Sequence, residues 1–121
     1  MKAQRLVLLA QLHPAVVTTA DFDDADGIRL DAALLDDAGL LEHEKLELYD
    51  GGSGTRLSCA VRKGKPGELA VCGATAQLIK PGARVTLAAW GWMKEKQALK
   101  HAPRTIRLDD DNVPLKKAKA G

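Results

Sequence analysis

Apolar residues in this chain come in short runs that alternate with polar ones or carry β-branched side chains, and most runs stop at a glycine or proline turn. Glu44-Lys-Leu-Glu-Leu-Tyr49 and Thr55-Arg-Leu-Ser-Cys-Ala-Val61 alternate on either side of Gly51-Gly-Ser-Gly54, the pattern of a hairpin. A period of two puts Arg56, Ser58 and Ala60 on one face and Leu57, Cys59 and Val61 on the other. Arg5 to His13 and Ala15 to Thr19 read as two early strands separated at Pro14, with Ile28 to Leu30 and Glu68 to Cys72 as short strands. Arg84 to Trp90 reads as a nearly continuous buried strand and Arg104 to Leu108 as the last one. Helical signals are brief. Asp31 is placed to cap Ala32 to Ala38, which Gly39 ends; Gly73 to Leu78 is a helical turn, and Lys94 to Lys100 a short basic helix. Many short strands with small helices predict a mainly-β barrel. The 121 residues fit one domain, 1–113, followed by a frayed basic tail from Pro114 to Gly121.

Charge removes some partners. Eighteen Lys and Arg against sixteen Asp and Glu leave +2, and the excess lies mostly after residue 93, where no aromatic residue is available to stack on bases. Nucleic acid is therefore not expected as a partner. No apolar run has membrane length and the chain opens without a signal-like hydrophobic region, so a cytoplasmic location and no membrane partner are expected. Cys59 and Cys72 lack CxxC spacing, and Asp109-Asp-Asp111 reads as a turn without paired ligands elsewhere, so no metal is expected.

The functional argument turns on Thr18 to Asp31, where Asp23, Asp24 and Asp26 make an acidic loop that ends at Gly27. Asp favours turns, so the loop reads as a solvated turn or as a source of general acid and base groups. From Ala20 through Gly52 there is no Ser, Thr or Cys. That span therefore offers no serine, threonine or cysteine to act as a hydroxyl or thiol nucleophile.

Leu12-His13, Val17-Thr18, Ala20-Asp21, Asp31, Asp37-Ala-Gly-Leu-Leu-Glu42, Arg56, Ser58, Gly73-Ala74, Gly82 and Asp111-Asn112 are collinear along nearly the whole chain. In that order the sequence resembles bacterial aspartate 1-decarboxylase. The resemblance implies a double-psi β-barrel with short helices, usually a homotetramer with active sites between neighbouring subunits, making β-alanine. It also implies a pyruvoyl cofactor, formed when a serine hydroxyl attacks the preceding carbonyl in a motif like Tyr-x-Gly-Ser. Counted without a gap from Asp21 to Asp31, the tyrosine of that motif falls on Asp24, the glycine on Asp26 and the serine on Gly27. The family's lysine near the first strand falls on Gln11, its tyrosine proton donor on Ala60, its processing threonine on Cys59 and its orienting asparagine on Cys72. His13 and Arg56 match; Arg56 is the position that binds a substrate carboxylate in the family, and Tyr49 stands where the family often has Trp.

The departures lead to an expectation of no pyruvoyl group, no other cofactor and no decarboxylation of aspartate. In the expected reading the chain is a repurposed enzyme that binds a small carboxylate-bearing substrate. His13, Asp24 and Asp26 are its catalytic candidates, and Arg56, Tyr49, Gly27, Cys59 and Cys72 line the pocket. The competing classes are a non-catalytic binding or partner subunit and, behind it, a genuine decarboxylase processed by an unrecognised route. Each candidate also has a bland reading: Arg56 as a surface cation, His13 as a residue bonding within the barrel, the cysteines as small buried hydrophobes.

Overall fold

The computed structural model describes residues 3–115. Its strands are β1 (Gln4–Val16), β2 (Thr19–Asp21), β3 (Gly27–Asp31), β4 (Lys45–Asp50), β5 (Thr55–Gly64), β6 (Leu69–Cys72), β7 (Arg84–Lys94) and β8 (Arg104–Ile106). They form one mixed sheet in the order β2-β6-β3-β5-β4-β7-β1-β8. Pairs β2/β6, β3/β5 and β1/β8 are parallel, whereas β3/β6, β4/β5, β4/β7 and β1/β7 are antiparallel. Three short helices, α1 (Ala32–Ala38), α2 (Ala74–Leu78) and α3 (Glu95–Ala98), sit in the connections.

The hairpin and the first helix follow directly from local chemistry. Tyr49 pairs with Arg56 and Leu46 with Cys59 across β4 and β5, so the expected faces hold: Arg56, Ser58 and Ala60 are exposed, while Cys59 and Val61 are buried. The Asp31 carboxylate accepts from the Ala33 N–H at 2.9 Å and Gly39 ends α1 in the left-handed region. Leu34, Leu35 and Ala38 face the core, where they join Leu12, Ile28, Leu30, Leu46, Leu48, Val61, Leu69, Val71, Ile79, Val85 and Leu87.

Three expectations need correction. The two early strands are one, because Pro14 lies within an irregularity of the β1/β7 register between Leu12 and Ala15, where the missing N–H interrupts no regular ladder bond. β7 is buried only from Val85 to Ala89 except for half-buried Thr86, and Trp90 and Trp92 emerge from the sheet. Pro114 bridges to Leu108 and the Leu115 N–H bonds the Arg107 carbonyl, so these two residues are held. The remaining tail positions, 116–121, lie outside the described residues. Among the described residues no helix is long and apolar enough to cross a membrane.

Candidate active site

The candidate residues fall into two groups. The first surrounds the acidic loop between β2 and β3. Gly27 opens β3 opposite Cys72, at φ +130, and a Cβ built there would lie 2.5 Å from the Ala60 carbonyl oxygen. Only a residue without a side chain fits this backbone against β5. Gly73, at φ +58, is also pressed close beneath the loop, since a Cβ there would lie 2.8 Å from the Asp26 nitrogen.

Arg29 and Arg62 face each other in register on the parallel strands β3 and β5. Like charges directly opposite repel, and the loop supplies the counter-charge. Asp24 accepts from Arg29 Nη1 at 2.7 Å and from Arg62 Nη1 at 3.3 Å, while Arg62 Nη2 donates to the Ala25 carbonyl at 2.9 Å. Asp21 and Glu68 complete the shell around Arg29, at 3.2 and 3.4 Å. Hydrogen bonds to Glu68 and then Asp24 raise the Arg29 pKa.

A general acid at Asp24 would need a carboxyl raised toward neutrality by desolvation. The shift runs the other way: the Ala25 N–H and then the Arg29 guanidinium hold its carboxyl below the ordinary value. Asp26 is turned to a structural contact, accepting from both the N–H and the hydroxyl of Thr75 at 2.8 and 2.9 Å. Cys59 and Cys72 are both buried and unbridged. Burial, followed by the nearby Asp26 charge, pushes the Cys59 thiol up to about 11, and burial also raises that of Cys72. Neither thiol is poised as a thiolate at neutral pH.

The second group lies on the outer face of β1, β7, β4 and β5. His13 Nδ1 is 2.6 Å from the Thr86 hydroxyl, Thr86 pairs with Tyr49, and Tyr49 pairs with Arg56. The Arg56 guanidinium carbon sits 4.2 Å above the Tyr49 ring centroid, a cation–π contact that holds the cation over the sheet while leaving it exposed. The Tyr49 hydroxyl donates to Glu47 at 2.6 Å; burial and then this bond raise the Tyr49 pKa. Gln11, further along β1, reaches Thr105 at 3.4 Å.

Within one chain these two groups stay apart. Arg56 and Ala60, the β5 residue that touches Gly27, are four positions apart, roughly 13 Å along a strand. No hydrogen bond among the described residues joins His13 or Arg56 to the loop. Sequence reasoning missed Arg29, Arg62, Glu68, Thr75 and Thr86. Arg29 had a usable signal, since it stands between core positions Ile28 and Leu30 and therefore points to the opposite face, toward the loop acids. Among the described residues no group of three or more His, Cys, Asp or Glu side chains is arranged to hold a metal.

A mixed sheet with an exposed cation on one face, and a loop that enters β3 through a glycine, define a small mainly-β protein. The aspartate decarboxylase family profile matches residues 3–114. An aspartate 1-decarboxylase of Clostridium beijerinckii is 36% identical over 109 residues, covering 88% of this chain and 88% of that protein. Those of Bacillus thuringiensis and Bacillus cereus are 36% identical over 110 residues, covering 89% and 87%. The chain belongs to the aspartate decarboxylase family.

Proposed function

We propose that this chain is a family member that does not process itself, makes no β-alanine from aspartate, and acts as a cofactor-independent enzyme on a small carboxylate-bearing substrate. The observation that carries this reading is Gly27. By an ungapped count it falls on the position of the family's serine, in a span without Ser, Thr or Cys, with a backbone and a neighbouring carbonyl that leave no room for a side chain.

Arg56 is the anchor for the substrate carboxylate, pre-positioned by the Tyr49 ring. His13, bonded through Nδ1 to Thr86, carries the proton at Nε2. The loop forms the opposite wall, with Asp24 and Asp26 holding its shape through Arg29, Arg62 and Thr75. A wall so far from Arg56 in its own chain is supplied by a neighbouring copy in a homotetramer. The sheet closes as a double-psi β-barrel in this reading. Its support is the β1–β2 junction, where Val17 bonds Gly82 and Ala83 while Thr18 bonds Leu69, drawing the two halves of the sheet together.

Intact-mass measurement should give a single species of 12.9 kDa, and L-aspartate should give no β-alanine above a blank free of host decarboxylase. Two fragments split near Gly27 with turnover of aspartate would restore the decarboxylase reading. A binding role is separated by trapping the natural ligand and asking whether it is chemically changed. Arg56→Ala should weaken carboxylate binding by about 1.5–3 kcal/mol, the value of a charge-assisted hydrogen bond. Undiminished binding would remove the anchor.

A further inference from the structure

Trp90 and Trp92 are the chain's only tryptophans, and they project from the same face of β7 with 40% and 67% of their surface exposed. Leu6, half-exposed, pairs with Trp92 across β1. Together with Lys45, Glu47 and Ser58 they line a groove of about 550 Å³, within the range of small-molecule sites. The groove's far end, at Trp92, is six positions along β7 from Thr86, roughly 20 Å, while its near end meets Tyr49, whose hydroxyl bonds Glu47.

The groove's two ends differ in chemistry. Two indoles and a leucine make one wall, an exposure of large apolar side chains that water disfavours. Lys45 and Glu47, two apart on β4, put one cation and one anion on the same face. They do not form an ion pair, and Glu47 uses only Oε1, to accept from Tyr49. Lys45 Nζ and Glu47 Oε2 thus keep bonding capacity among the described residues, one for an anion and one for a cation. A single charged ligand would satisfy one group and oppose the other; a zwitterion with an apolar body satisfies both and covers the indoles.

We propose that this groove binds a small zwitterionic amphipath, an amino acid with a large apolar side chain. Lys45 takes the carboxylate, Glu47 the ammonium, and Trp90, Trp92 and Leu6 the side chain. The groove adjoins the Arg56 group, since Glu47 pairs with Ser58 and accepts from the Tyr49 hydroxyl, but neither Arg56 nor His13 lines it, and leucine binding is read in the same chain with Arg56→Ala to keep the two readings apart.

Both tryptophans lie in the groove, so intrinsic emission of the full chain reports its occupation. L-leucine should produce a saturable change, whereas 4-methylpentanoate, isoamylamine and L-aspartate, each lacking one of the three features, should bind about tenfold more weakly. Lys45→Gln should weaken leucine and 4-methylpentanoate by roughly tenfold and leave isoamylamine unchanged; Glu47→Gln should do the reverse. That crossed pattern is not produced by a general loss of structure. Trp92→Ala, at a mostly exposed position, should lower leucine affinity while the fold persists by circular dichroism. No saturable response up to about 20 mM leucine, well above a millimolar dissociation constant, overturns the proposal. So does emission that responds to protein dilution and not to ligand, which would assign the groove to a second copy of the chain.

Discussion

At the scale of single residues, the tightest constraint in the molecule is the space around Gly27. Gly27→Ser should not restore self-processing, because its Cβ meets a backbone carbonyl rather than a yielding side chain. It should instead destabilise the fold by about 1–3 kcal/mol or more, read from denaturant unfolding, with one intact species by mass. Asp24 makes a second prediction. Its carboxyl is held below the ordinary value of 3.8, so the stabilisation it gives is present above that pH and disappears as pH falls through its folded value. Asp24→Asn should flatten the acid limb of unfolding while lowering stability at neutral pH, where Arg29 and Arg62 would face each other with less counter-charge. An acid limb identical to the parent would show that the loop carries no such linkage. The sequence singled out Gly27 and a span, Ala20 to Gly52, without Ser, Thr or Cys. It did not reveal how Asp24 is held, because the direction of a carboxyl shift depends on partners from β3 and β5 that no local spacing shows.

At the scale of elements, legibility followed the range of the interactions. α1 was readable to its ends because its cap and its stop are local. The hairpin was readable because its turn and alternation are contiguous in sequence. Pro14 misled because the proline rule applies to a regular ladder, and the irregularity that accommodates Pro14 depends on β7, some seventy residues away. Asp31 shows how an element signal can also be tertiary: besides capping α1, its other oxygen accepts from the Gly67 N–H at 2.8 Å, tying the turn before β6 to the end of β3. Asp31→Ala should therefore cost more than an isolated cap, about 1.5–3 kcal/mol by thermal or chemical unfolding. A loss of only a few tenths would mean that water replaces both bonds.

At the scale of the whole molecule, the proposed pocket requires two residue groups that one chain holds apart to be brought together. Arg56 and His13 lie on a sheet face and Gly27, Asp24 and Asp26 lie around a loop, each group satisfied by its own contacts and none bonded across. If a pocket uses both, a second chain has to bring its loop to the first chain's sheet face, and symmetry makes the exchange reciprocal. Phe22, the first loop residue after β2, is 57% exposed beside Asp21, Asp23 and Asp24 in sequence, which suits a contact surface better than solvent. The expected assembly is a homotetramer, with light scattering at micromolar concentration giving about four times 12.9 kDa. Phe22→Asp should add charge where the loop meets its neighbour and shift the distribution toward smaller species, while leaving the circular dichroism of the chain unchanged. Loss of the assembly together with loss of carboxylate binding would tie the pocket to the interface. A monomeric parent that still binds a carboxylate through Arg56 would instead place a complete site within one chain and reject the shared pocket.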